Sequence, residues 1–352
     1  MRFLLSLVML LLFISCKTQE SKVINHNFSE VTVVPFFNDS VSIRAITISD
    51  DEILFAGSNN MYGTFQIDEN LEIKNKKINT IDFEGKKIQF RSIASTKTDF
   101  FVLSIASPAL LFKISKESVE TKLVYEEAHE KVFYDAIAFW NDQEGIAMGD
   151  PTEDCLSIII TRDGGEHWTK ISCDQLPKAV KGEAAFAASN GNIKIIGDEV
   201  WIVSGGIASR VFYSSDKGKT WTVFNTPIIQ GKETSGAYSM DFYDKDNGII
   251  FGGDYTKPED NNKNKAITND GGKTWKLVAD GVGAGYKSCI RYIPNSGGKE
   301  MVTVGFTGIS ISNDAGNTWK ELSNESFYTL RFINDSTAIA AGKNRIAKVS
   351  FK

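Results

Sequence analysis

The octapeptide TNDGGKTW at residues 268–275 decides how this chain is read, because it returns three times. TRDGGEHW stands at 161–168, SSDKGKTW at 214–221 and SNDAGNTW at 312–319. All four copies open on Ser or Thr, carry Asp third and Gly fifth, and close on Trp. Their aspartates, Asp163, Asp216, Asp270 and Asp314, recur at separations of 53, 54 and 44 residues. A repeat of this size marks an array of like supersecondary units, and it fixes the architecture before any other feature does. Each residue type has a local task. A short carboxylate accepts backbone N–H bonds in a tight turn. Gly at the fifth position admits a positive φ. Trp168, Trp221, Trp275 and Trp319 offer apolar surface to pack between neighbouring sheets. The octapeptides therefore read as folding devices, not as catalytic groups.

The text before each octapeptide repeats as well. AIAFWNDQEGIAMGD (136–150) and SMDFYDKDNGIIFGGD (239–254) share one pattern: an aromatic strand end, a polar turn with Gly, then an apolar strand ending in Gly-Asp. Short alternating strands separated by Asn, Asp and Gly turns run from Val31 to Phe351, and no window holds a helical period over twelve residues. The chain is expected to be all-β, in four-stranded antiparallel units with the octapeptide between the third and fourth strands. First strands align at SIRAITI, QFRSIAS, FYDAIAF, EAAFAAS, AYSMDFY, KSCIRYI and FYTLRFI, beginning near 42, 89, 133, 183, 237, 287 and 327. That gives a seven-bladed β-propeller over 30–352; a misread unit within 42–130 would leave six or eight blades. The last unit stops after its third strand, and EVTVVPF (30–36) is expected to supply the fourth and close the ring, removing exposed sheet edges. The polar insertion DYTKPEDNNKNK (254–265) is expected to be a mobile loop.

The octapeptide resembles the Asp box, S-x-D-x-G-x-T-W, of bacterial sialidases and other β-propellers; only the copy at 161–168 departs before its Trp, with His167 in place of Thr. The resemblance implies that the boxes lie on the face opposite the ligand site. A second resemblance, carried by the spread of boxes, the Gly-Asp strand ends and GEAAFAASNGNIKIIGDEVWIVSGG (182–206), is to the photosystem II stability and assembly factor-like propellers. It covers nearly all of the chain after the first residues and implies a binding or assembly factor. Bacterial relatives in that family are sometimes labelled oxidoreductases, but the chain has no strand-to-helix G-x-G-x-x-G and no C-x-x-C to carry redox chemistry, so no cofactor is expected.

The 352-residue chain has a net charge of −5, which argues against nucleic acid as its partner. MRFLLSLVMLLLFISC places one positive charge before an apolar run too short to span a bilayer. It resembles a bacterial lipoprotein signal, with residues 1–15 removed, Cys16 lipidated and 16–29 a tether. The protein is thus expected to be exported, held at the cell envelope by its lipid, and monomeric. In such a compartment Cys155 and Cys173, nearly opposite across the 161–168 hairpin, either form a disulfide or remain two buried thiols. Cys289 reads as core.

In a propeller the first strands begin at the ligand face, and the connections between second and third strands emerge there too. Arg44, Arg91, Asp135, Glu183, Tyr238, Lys287 and Tyr328 stand at strand starts, and Asp150, Asp254 and Arg210 come from those connections. Such a set suits a polar ligand on an envelope protein or glycan, or else its charges pair with one another and seal the channel. The enzyme alternative is a sialidase-like glycosidase, for which Arg44, Arg91, Arg210 and Arg291 supply guanidinium groups that grip carboxylates in pairs; a Tyr–Glu nucleophile pair is not evident. His26, His129 and His167 are too dispersed to hold a metal, and DKDNG (244–248) reads as a hairpin turn.

Overall fold

The computed structural model describes residues 23–352. The expected signal segment 1–15, Cys16 and the first part of the tether lie outside the described residues. Among the described residues every regular element is a strand, and neighbouring strands run antiparallel. The alternating apolar pattern made this the expected class, because a period of two buries one face of each strand.

The expected seven blades are corrected to six: hydrogen bonding gathers the strands into six sheets. The first and last of the expected units are not separate. Val31–Ser49 pairs with Thr337–Phe351 through Val31↔Phe351 and Val33↔Val349, then continues past irregular register to pair with Glu52–Gly57. Two long strands thus carry one six-stranded sheet across what the sequence reads as a unit boundary. The segment 30–36 does lie beside the last strand, and the ring is closed there by main-chain hydrogen bonds. A second departure is local. EAAFAAS is not the first strand of its unit: only Glu183–Ala184 is extended, and it pairs with Gly205–Gly206 in the sheet of Ser235–Phe242. Ile193–Ile196 opens the fourth unit instead.

Adjacent sheets share apolar clusters, so the core lies in the seams between them. Leu54 and Ala56 meet Phe90 and Val102; Phe101 meets Tyr134 and Trp168; Trp201 meets Met240 and Phe242; Val304 meets Leu330 and Ala338. Each fully buried side chain of this size contributes about 1.5–3 kcal/mol. The octapeptides set the seams. In the third copy the Thr268 hydroxyl donates to Asp270 (2.8 Å), the Thr274 amide (2.9 Å) and hydroxyl (2.6 Å) donate to the same carboxylate, and the Gly272 amide donates to Thr268 Oγ1 (2.9 Å). Gly272 takes φ +83°, and Trp275 Nε1 donates back to its carbonyl (2.9 Å). The copies at 214–221 and 312–319 repeat these bonds. In the first copy His167 replaces the Thr hydroxyl, its Nδ1 lying 2.7 Å from Asp163. Burial works against the charge on Asp163 and Asp216, and these hydrogen bonds outweigh it, holding both at about 2.

Cys155 and Cys173 are disulfide-bonded, with Cα atoms 5.5 Å apart, and Cys289 is a buried free thiol. The insertion expected to be mobile is tied down. Asp254 caps its first turn, the Lys257 amide donates to Asp254 O, and the Pro258 carbonyl accepts from the Tyr286 amide. Asp and Asn side chains satisfy the backbone here in place of a strand partner.

Candidate functional site

The strand starts of several sheets converge on one cavity of about 450 Å³ at the centre of the ring, on the face opposite the octapeptides. Its lining combines the guanidiniums of Arg44 and Arg91, the carboxylates of Asp150 and Glu233, and an aromatic wall that includes Phe186, Tyr238, Tyr286 and Phe306. The rings pack on one another: Phe186 stacks on Tyr238 at 3.8 Å between centroids, Tyr238 meets Tyr286 edge-on at 4.7 Å, and Tyr286 lies 5.0 Å from Phe306. A wall built this way is rigid before any ligand arrives.

The floor comes from residues 184–190. This stretch leaves strand geometry after Ala184 and crosses the axis. Asn190 Oδ1 accepts from the Ile137 amide (2.9 Å) and its Nδ2 donates to Ile93 O (2.8 Å). From the far side of the ring, Arg331 Nη2 donates to Ser189 O and Asn190 O, both at 3.1 Å, and Thr329 Oγ1 donates to Ser189 O (3.0 Å). Bonds from three other strands therefore pin a floor with no ladder of its own, which is how its backbone groups are satisfied.

The two arginines lack carboxylate partners within ion-pair distance among the described residues. Arg44 lies over the Tyr328 ring, 4.0 Å from its centroid, a favourable cation–π placement. Arg91 has only a long 3.4 Å contact to Gln89. Burial, and then the neighbouring Arg44, pull Arg91 down to about 10. Neither acidic residue of the lining, Asp150 or Glu233, is in ion-pair contact with them, so both guanidiniums keep donors free for an anion. Beneath Arg91 sits Asp135, fully buried, with neither carboxylate oxygen in a hydrogen bond. Burial, then repulsion from Asp150, raise its pKa well above the usual range; the Ala187 amide lies close but without formal hydrogen-bond alignment. Burial likewise lifts Asp150 to about 6, although it accepts a 2.7 Å bond from the Ala185 amide.

Of the ten expected face residues, Arg44, Arg91, Asp150, Tyr238 and Tyr328 line the cavity, and Asp135 lies just below it. The others are spent on the protein itself. Arg210 forks onto the buried Glu183, which also accepts from Ser204 (2.5 Å). Lys287 is buried, donates to Thr307 Oγ1 (2.9 Å) and Gly308 O (3.1 Å), and is pulled down to about 8 by burial. Asp254 caps its loop. The arginines that a sialidase would need do not converge, since Arg210 is held by Glu183 and Arg291 donates to the carbonyls of Met240 and Ile290. The sequence reading missed Phe186, Tyr255, Tyr286 and Phe306. Tyr286 lies three residues before the strand Cys289–Tyr292 and Phe306 directly after Met301–Gly305, outside the aligned pattern.

The fold has known counterparts. A family model described as Sortilin-Vps10 (sortilin, neurotensin receptor 3) matches residues 156–293, less than half of the chain. No curated protein matches it. Among solved structures it is similar to YCF48 bound to D1 peptide, with a TM-score of 0.65 and 12% identity over 94% of this chain and 100% of that one. It is similar also to YCF48 from Cyanidioschyzon merolae (0.60, 10% identity, 92% and 98%) and to U3-55K (0.62, 10%, 91% and 98%). At such identity the likeness is one of fold. The chain is a β-propeller, and what it binds must be argued from its cavity.

Proposed function

We propose that this protein is an exported, lipid-anchored binding propeller whose central cavity takes a carboxylate-bearing segment of an envelope protein. The observation that carries the reading is the pair of unpartnered guanidiniums, Arg44 and Arg91, facing a preformed aromatic wall. Guanidiniums bind carboxylates in pairs of hydrogen bonds, and flat aromatic rings give contact area at small entropic cost. A peptide segment with an acidic side chain or free C-terminus beside an apolar residue uses both. YCF48, with a similar fold, is recorded with a peptide bound, which favours a protein over a glycan. The role is that of a platform, and no catalytic step is assigned to it.

Selection from a random displayed-peptide library on the full chain tests this. Enriched peptides should carry a carboxylate near an apolar residue and lose binding to an Arg44→Gln/Arg91→Gln double variant. Peptides that bind the double variant equally well would overturn the proposal.

A further inference from the structure

Residues 23–29 fall within the expected tether, yet they are fastened to the propeller, and always on the octapeptide side. The Ile24 amide donates to Asn295 O (2.8 Å). His26 Nδ1 lies 2.5 Å from Glu300 Oε2, and the Asn27 amide donates to Glu300 Oε1 (2.7 Å). Glu300 is fully buried, so this strap supplies partners to a carboxylate that would otherwise be costly to bury. Phe28 closes the core beside Phe351; Asn313 Nδ2 donates to Phe28 O (3.2 Å) and Lys320 Nζ to Ser29 O (3.0 Å).

Chain topology places these contacts without ambiguity. In the sheet of Cys289–Tyr292, Met301–Gly305, Gly308–Ser312 and Lys320–Ser323, Asn295 and Glu300 belong to the first connection, and the octapeptide at 312–319 forms the third. Successive connections of an antiparallel sheet alternate between its ends. The second connection, holding the cavity residue Phe306, is therefore on the opposite face, as is Ser288 at the start of the first strand.

We infer that the strap fixes the orientation of the disc on its membrane: the octapeptide face is turned toward the bilayer and the cavity opens away from it. This rests on the lipid anchoring at Cys16 proposed above. Seven residue steps separate Cys16 from Val23, and whatever its conformation such a length of chain spans at most about 25 Å. Strands of six or seven residues make the sheets about 20 Å deep before their connections are added. Rounding the rim would spend nearly that whole length of chain on the sheets and their connections alone, so a chain leaving the octapeptide face holds that face, not the cavity face, nearest the lipid. The partner of the cavity is then a segment presented from the aqueous side, and the lipid surface faces the octapeptides.

The test uses the full chain, acylated in a bacterial host and placed in phospholipid vesicles. Single cysteines carrying a fluorescent donor are introduced by Asn317→Cys on one face and Lys257→Cys on the other, with an acceptor on the lipid headgroups. Energy transfer should be severalfold stronger from position 317. Equal transfer, or stronger transfer from 257, overturns the orientation. Failure of the chain to float with vesicles overturns the anchoring instead, so the two failures are distinguishable. A His26→Ala/Asn27→Pro/Glu300→Gln variant, which frees the strap without leaving a buried charge unpaired, should keep flotation and shrink the difference between labels; an undiminished difference removes the strap from the account.

Discussion

The two faces of the ring spend the same kinds of residue in opposite ways. On the octapeptide face, each box aspartate is answered within its own turn by a Ser, Thr or His neighbour and by backbone amides, and Glu300 is answered by the strap. On the cavity face Arg44, Arg91 and Asp135 have no such answer. Both faces are connections between strands, so topology does not make the difference. What separates them is whether the partner of a charge lies a few residues along the chain or is missing from it. Charges satisfied locally stabilise a turn; charges left open in a cavity lower stability and hold free energy for a ligand.

The largest effect should come from a charge on the cavity face that has crossed to the structural side. Arg210→Ala leaves Glu183 buried and uncompensated and should cost about 3–5 kcal/mol in denaturant unfolding. A loss below about 1 kcal/mol would place the pair with the open charges and break the division. Next, Asp270→Ala removes the acceptor of three bonds and should cost about 1–3 kcal/mol, with selected peptides bound as before; lost binding in a folded variant would erase the contrast between faces. Arg91→Ala should do the reverse. Peptide affinity should fall about tenfold to a hundredfold, or about 1.4–2.7 kcal/mol, while thermal unfolding stays level or moves up.

The smallest effect sharpens the electrostatics. Asp150 titrates near 6 when folded and near the ordinary carboxylate value of 3.8 when unfolded. The folded state therefore holds a proton that the unfolded chain releases, and this group's contribution falls as pH rises from about 4 to 6, then levels. Asp150→Asn keeps an acceptor for the Ala185 amide and abolishes that fall. Above pH 6 the variant should be more stable by about 1 kcal/mol, a fraction of the roughly 3 kcal/mol that the full shift is worth, because the side chain is only partly buried and solvent screens its charge. Parallel stability curves for the two proteins between pH 4 and 6 would show that Asp150 is not held in this way.

Much of this was legible in the sequence because it is local. The turn of TNDGGKTW is made by residues within eight positions, so its Asp, Gly and Trp could be assigned from spacing alone. Arg44, Arg91, Asp150, Tyr238 and Tyr328 could be placed on one face because strand direction alternates along the chain. The blade count failed for a nonlocal reason: Val31–Ser49 and Thr337–Phe351 each run through a boundary that the aligned repeats imply, and their pairing joins opposite ends of the chain. The fate of Glu183 and Arg210 was equally hidden, since they stand 27 residues apart and meet only where the chain folds back. So was EAAFAAS, an apparent strand whose last carbonyl, Ser189 O, accepts across the axis from Arg331 and Thr329.

The sequence by itself determined the all-β class, the repeated turn and the side of the ring on which each connection emerges, because periodicity and turn chemistry act over a few residues. The tertiary structure alone decided how many sheets there are, which charges find partners and which stay open around the aromatic wall, because those outcomes depend on pairings between distant segments that no local pattern encodes.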